Sequence, residues 1–282
     1  MTGESIMRVS DRETVVEKAR AKINFVLNVG KKRGARHELD TVIVPIDLFD
    51  TVSLTARTDG EVVIRYDGIS DKYPHDPAKD LAKAIVKRYG LPGVSVDVQK
   101  RVPEGAGLGG SSTDAGALAR GLERLFSFGK IDAGLLTEVG SDVYAAYLDR
   151  PCRVRGTGDV VEVLEDISTP SICLYTFDFG VSTAECYALF DKIGGEEGDV
   201  EDAILAMRRG EEFLPKNGLL RAACRIRPGI AARLEMLRAE GLSCGMTGSG
   251  SALFAFGYDK EQFLKKLFRS RDLGTKTTLF RE

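Results

Sequence analysis

Pro103-Glu104-Gly105-Ala106-Gly107-Leu108-Gly109-Gly110-Ser111-Ser112-Thr113-Asp114 is the densest glycine stretch of the chain. It lies between an alternating segment, VSVDVQ at 94–99, and a segment with a helical apolar face, residues 112–127. Glycines let a backbone approach a ligand closely and adopt positive φ. A helix start presents free N–H groups and the positive end of its dipole, so a phosphate is well placed there. Three hydroxyls, Ser111, Ser112 and Thr113, stand at that helix start as donors to phosphate oxygens or contacts for a metal ion. Ser111 and Asp114 also have the spacing of a capping box, with Asp in the usual Glu position.

Several motifs compete for this loop. A plain glycine turn with a serine cap is one. Gly105-x-Gly107-x-x-Gly110 also fits the dinucleotide fingerprint, which is weak alone. Lys100, Arg101 and Pro103 separate it from its strand, where a dinucleotide turn follows directly. A Walker loop needs Gly-Lys-Ser/Thr, and no lysine follows these glycines. A nucleoside-triphosphate loop of another design remains.

The rest of the 282-residue chain sets bounds. Forty Lys+Arg against 42 Asp+Glu gives a charge of −2, so neither nucleic acid nor a membrane surface is an expected partner. An apolar content of 43% excludes disorder, and no apolar run is long enough to span a bilayer. The first 20 residues lack the apolar core of a signal peptide. Five scattered cysteines and two histidines, His37 and His75, give no disulfide framework and no zinc pattern. A cytoplasmic setting with reduced thiols is expected.

Alternation suggests strands at 20–29, 41–46, 51–56, 61–66, 152–157, 159–163 and 172–176, with another near 275–280. A basic turn, GKKRGARHELD, follows the first. Helical patterns lie at 78–89, 141–148, 184–191, 200–209, 229–240 and 260–268. Mixed elements of this kind mean α/β or α+β, in two parts joined near Glu165 to Ser171. Gly245 to Gly250 forms a second glycine turn between apolar stretches, readable as a tight strand–strand turn. Lys31-Lys32-Arg33 reads as a solvated turn able to attract an anion, and the acidic run at 196–202 as a solvated loop.

The 103–114 loop resembles the phosphate loop of the GHMP small-molecule kinases. Further segments resemble one branch of that family in the same order: Ala21-Lys22-Ile23-Asn24, Gly34 to Thr41, Gly140-Ser141-Asp142-Val143, Val181 to Glu185 and Met246 to Gly250. The resemblance implies an α+β fold, with a first domain of the ribosomal-protein-S5 type over 1–165 and a ferredoxin-like one over 166–282. It implies transfer of the ATP γ-phosphate to a tertiary alcohol of a cytidine-bearing small molecule in non-mevalonate isoprenoid synthesis. Another small alcohol or sugar is the alternative acceptor. A dinucleotide oxidoreductase and a silent binding module stand outside the class.

On that resemblance Lys22 and Asp142 are the catalytic pair. Taken alone they are also a strand-end lysine and a helix cap. Lys100, Pro103 and residues 105–113 would hold ATP, with residues 79–81 on the adenine side. Asn24, Arg36, His37, Thr183, Tyr187, Gly248 and Ser249 would hold the acceptor. Magnesium is implied by the reaction, with Ser112 its one named contact. A monomer or homodimer is expected. The chain departs from the branch at Arg36, where an aromatic would stack on the base, and at Ser111, Asp80, Tyr144 and Gly218. A guanidinium can also stack on a flat base.

Overall fold

The computed structural model describes residues 14–73, 75–269 and 277–280. The first 13 residues, read above as lacking a signal segment, and positions 275–276 of the last expected strand lie outside them.

A long hairpin dominates the first half. β1 (Thr14–Arg33) and β2 (Arg36–Ala56) are antiparallel and turn at Gly34-Ala35. The basic turn read at 30–40 is therefore mostly strand. Pairs Lys32↔His37 and Arg33↔Arg36 continue the ladder to the tip, where polar side chains on both faces hide the alternation. β3 (Val62–Tyr66), β4 (Ile69–Ser70), α1 (Pro77–Tyr89) and β5 (Val94–Gln99) follow. Asp76 caps α1 by accepting from the N–H groups of Ala78 and Lys79, with Pro77 at the first position. α2 (Gly110–Phe126), α3 (Ala133–Val139), α4 (Val143–Leu148), β6 (Cys152–Gly156) and β7 (Val160–Val163) complete this half.

β8 (Ser171–Tyr175) opens the second half. α5 (Thr183–Ile193), α6 (Val200–Arg209), β9 (Lys216–Asn217), α7 (Leu220–Ile226), α8 (Gly229–Ala239), β10 (Ser243–Met246), β11 (Leu253–Gly257), α9 (Lys260–Arg269) and β12 (Thr277–Phe280) follow. An eight-stranded sheet runs β4-β3-β5-β2-β1-β9, with β6 and β7 added along the first half of β2. A four-stranded antiparallel sheet runs β10-β11-β8-β12. α3 and α7 were not expected: seven residues each give barely two turns, too few for a 3.6-residue period to show.

One irregularity in the hairpin positions the site. Between Arg20 and Lys22 the register slips, and opposite it β2 carries Pro45, which cannot donate to a ladder. Before the slip, Val15 and Ala19 pack with α1 and α2, against Leu81, Ile85, Leu118 and Leu122. After it, Ala21, Ile23 and Phe25 pack with Leu174, Phe254 and Phe256 of the second sheet and with α6. The shift is of two residues, Arg20 pairing with Phe49 and Lys22 with Pro45, so the alternation of β1 runs through it and its odd positions from Val15 to Phe25 supply both cores. Lys22 and Asn24, at the alternate positions, stand outside that second core, and the Lys22 N–H donates to the Leu108 carbonyl of the glycine loop at 3.0 Å.

Candidate active site

The glycine loop and the second glycine turn meet backbone to backbone. Gly107 has φ +76, and a Cβ there would lie 2.2 Å from the Thr247 carbonyl oxygen. Only hydrogen fits between the two loops. The Ala252 N–H donates to the Ala106 carbonyl at 3.0 Å, closing the contact. Gly109, at φ +76, precedes α2 and leaves the helix start without a side-chain cap. The expected capping box of Ser111 and Asp114 is not formed. The first N–H groups of α2 are thus left to a ligand.

Asp114 points inward instead. It accepts from Lys100 Nζ at 2.6 Å, and Lys100 also pairs with Asp50. Asp50 in turn accepts from the N–H groups of Arg101 and Val102. Burial and the neighbouring Asp50 push the Asp114 carboxyl up to about 7, against the pull of Lys100. Burial works against the Lys100 charge, but the two carboxylates outweigh it and raise its pKa. This buried triad anchors the strand end that feeds the loop.

Three contiguous hollows share one cleft. A 400 Å³ compartment is lined by Pro103 and residues 105–111, with Lys100, Asp114, Tyr66 and Tyr73. A 460 Å³ compartment is lined by Arg36, His37, Ser141, Asp142, Thr183 and Tyr187. Between them lie 270 Å³ bordered by Lys22, Asn24, Ser112, Asp142, Gly248 and Ser249. Thr183 borders all three.

At the junction Lys22 Nζ is 3.3 Å from Asp142 Oδ2 and donates to Asn24 Oδ1 at 2.6 Å. Lys22 is 6% exposed. Asn24 is held from every side. Its Nδ2 donates to Thr41 Oγ1, its N–H donates to Thr247 Oγ1, and its Oδ1 accepts the Gly248 N–H. Thr183 and Ser249 hydroxyls lie 2.9 Å apart.

In the larger compartment His37 Nε2 meets Asp191 Oδ1 at 2.6 Å, and Lys32 Nζ meets Asp191 Oδ2 at 2.6 Å. Lys32 and His37 hold the Asp191 carboxyl below the usual carboxylate range. The Tyr187 ring lies 4.8 Å from the His37 ring, and burial raises the Tyr187 hydroxyl pKa. Arg36 donates to the carbonyls of Thr137 and Glu138 at the end of α3, 2.6 Å each.

Most expected site residues therefore gather in this cleft, with corrections. Thr113 is buried and its hydroxyl donates back to the Gly110 carbonyl, so it does not face the cleft. Leu108 contributes its carbonyl, its side chain being buried in the second core. Residues 79–81 do not border the compartment: Leu81 is in the helical core, Lys79 pairs with Asp71 and Asp80 is exposed. Asp191, Tyr66 and Tyr73 were missed, and Lys32, read only as part of a basic turn able to attract an anion, is tied to Asp191 beside His37. Asp191 is one turn beyond Tyr187 on α5, an i, i+4 signal that was present. Asn217 donates to the carbonyls of Met246 and Gly248 and accepts from Leu219 N–H, bracing the second turn. Residues 100–109 separate β5 from α2, and the sheet is mixed, which removes the dinucleotide reading.

A glycine loop opening a helix, facing a second glycine turn across a lysine–aspartate pair, agrees with a match of residues 77–160 to the family described as GHMP kinases N terminal domain. The chain is 31% identical to the 4-diphosphocytidyl-2-C-methyl-D-erythritol kinase of Syntrophomonas wolfei, over 90% of this chain and 93% of the relative. It is 34% identical to that of Moorella thermoacetica, over 86% and 90%. A crystal structure of 4-(cytidine 5'-diphospho)-2C-methyl-D-erythritol kinase superposes with a TM-score of 0.76 at 28% identity, covering 94% of this chain and 98% of that one. The chain belongs to the 4-diphosphocytidyl-2-C-methyl-D-erythritol kinase family of GHMP kinases.

Proposed function

We propose that the protein transfers the γ-phosphate of ATP to the 2-hydroxyl of 4-diphosphocytidyl-2-C-methyl-D-erythritol, a step of non-mevalonate isoprenoid synthesis. The observation that carries this is the Lys22–Asp142 pair at 3.3 Å, standing where two compartments open into one another. The triphosphate would lie on the backbone of residues 105–111 at the α2 start. The cytidine would enter the compartment of Arg36, His37 and Tyr187, and Asn24, Thr183, Gly248 and Ser249 would border the reacting alcohol.

Phosphoryl transfer asks the protein chiefly to align groups and neutralise charge. Asp142 takes the proton of the attacking hydroxyl, and Lys22 orients Asp142 and counters the charge on the transferring phosphoryl. Magnesium would supply neutralisation of the triphosphate. Among the described residues no cluster of three or more His, Cys, Asp or Glu side chains could hold a metal. The oxygen donors at the junction suit a magnesium ion that keeps water and phosphate in its shell. Ser112 is the side chain to touch it, beside Asp142 on the same wall.

No helix among the described residues is long and apolar enough to cross a membrane. We assign the protein to the cytoplasm, as a monomer or homodimer acting on a small molecule, with its two units dividing near residue 165.

The test is acceptor-dependent ADP release from ATP with 4-diphosphocytidyl-2-C-methyl-D-erythritol, with mass spectrometry of the product. A monophosphorylated product upholds the assignment. ATP binding without turnover discards this acceptor.

A further inference from the structure

We infer that Asp191 is a positioning residue that selects the pyrimidine: it fixes the ring proton of His37 on Nε2 and leaves Nδ1 as an acceptor for the 4-amino group of cytosine. The inference rests on the kinase function proposed above.

An ionised carboxylate only accepts hydrogen bonds. Asp191 faces two partners, Lys32 Nζ and His37 Nε2, each at 2.6 Å. Lys32 has only donors. The bond between Asp191 and His37 therefore needs the proton on Nε2, and a neutral ring then carries a lone pair on Nδ1. His37 Nδ1 has no hydrogen-bond partner among the described residues, yet it is not among the sealed polar atoms left unpartnered. The ring itself is only 7% exposed and borders the 460 Å³ compartment. What remains accessible of it is accessible there.

The ring cannot readily turn over to offer the other nitrogen. Tyr187 lies against it, tilted by 33° at 4.8 Å, and Phe190 meets it edge-on at 5.9 Å. Arg36, next to it in the chain, directs one Nη1 and one Nη2 donor to the carbonyls of Thr137 and Glu138. The edge offered to a base is thus an acceptor. Cytosine brings an amine to it. Uracil brings a carbonyl oxygen, lone pair against lone pair. A site built around one hydrogen bond rejects the mismatched group because a buried polar atom is left unpaired. A cytidine-over-uridine preference of about 10- to 100-fold in kcat/KM follows from one such bond.

Asp191→Asn reverses the logic. An amide has one oxygen, and Lys32 can only donate, so Lys32 claims that oxygen. The amide NH2 then faces Nε2, and the ring proton moves to Nδ1. Nδ1 becomes a donor and the preference for cytosine falls to within about 3-fold or inverts. Adding Lys32→Met frees the amide oxygen to accept from Nε2 again, and the cytosine preference returns.

The experiment has two readouts. Histidine-selective ¹⁵N labelling gives only two rings, since the chain has only His37 and His75, and His75→Gln assigns them. The second readout is kcat/KM for the cytidine substrate against its uridine analogue. The expected result is an Nε2–H tautomer at about pH 8 in the parent protein, Nδ1–H in Asp191→Asn, and a collapsed base preference that Lys32→Met restores. An Nδ1–H or charged ring in the parent overturns the inference, as does equal use of both substrates. An equal loss on both substrates in Asp191→Asn, with the ratio kept, also overturns it. If neither acceptor is phosphorylated, the kinase function fails on its own account. Calorimetry with CDP and UDP then decides: equal affinities overturn the inference and tighter CDP upholds it.

Discussion

Replacing Gly107 by alanine tests whether contact between the two glycine loops sets the catalytic geometry. Two effects separate cleanly. The first is conformational: a side chain at φ +76 costs about 1–2 kcal/mol. The second is steric. The new Cβ would lie 2.2 Å from the Thr247 carbonyl oxygen, with Gly250 N at 2.9 Å. Ordinary contact begins at 3.4 Å, so the loops must part by roughly 1 Å. That gap opens between the loop that would hold the triphosphate and the one that borders Asn24 and Lys22. A misplacement of about 1 Å costs on the order of 10²-fold in rate. Gly34→Ala is the control. Its φ is +67 and nothing lies within 4 Å of the new methyl, so it carries the strain without the clash. Both variants should lose about 2–4 °C in thermal midpoint from strain alone, the Gly107 variant more. Only Gly107→Ala should lose kcat, in the ADP-release assay at saturating ATP. Equal kcat in the two variants would refute loop contact as the determinant.

Asp142→Asn should lower kcat by on the order of 10²–10⁴ while ATP affinity persists by calorimetry; near-parental turnover removes it as the base. Lys100→Met leaves Asp50 and Asp114 buried, with 0% and 2% side-chain exposure, and without their cation. We expect about 3–5 kcal/mol lost in urea unfolding, and a loss below about 1 kcal/mol would contradict a paired triad. The Asp114 carboxyl is held up to about 7, above its ordinary value, so the folded chain keeps a proton that the unfolded chain releases near pH 4. Its contribution to stability is full below the unfolded pKa and is lost as pH rises toward 7. Asp114→Asn should flatten that slope between about pH 4 and pH 7, and an unchanged slope assigns it to another group.

The glycine loop before α2 was legible because its glycines are needed for backbone reasons that composition reveals. That Lys22 and Asp142 pair was legible only through the order of surrounding motifs, since a strand-end lysine and a cap aspartate look alike in any chain. The β1 slip was not legible. It shows only in the pairing, Arg20 with Phe49 and Lys22 with Pro45, because a two-residue shift leaves the alternation of β1 unchanged. The Lys100 triad was hidden for a different reason: Asp50, Lys100 and Asp114 come from three elements brought together only by folding. Thr113 and Asp114 were misread because α2 starts at Gly110, not at the serines, so both lie inside its first turns and face the interior.

The strand that carries Lys22 also carries Ile23 and Phe25 into the interior of the other half. A break in the chain near residue 165 would leave neither fragment able to cover that apolar surface alone. Two fragments expressed separately would have to find one another to fold, and the Lys22 nitrogen proposed to act in phosphoryl transfer would come into register only on their union. Catalysis by such a severed enzyme would report reassembly, with no background from either piece.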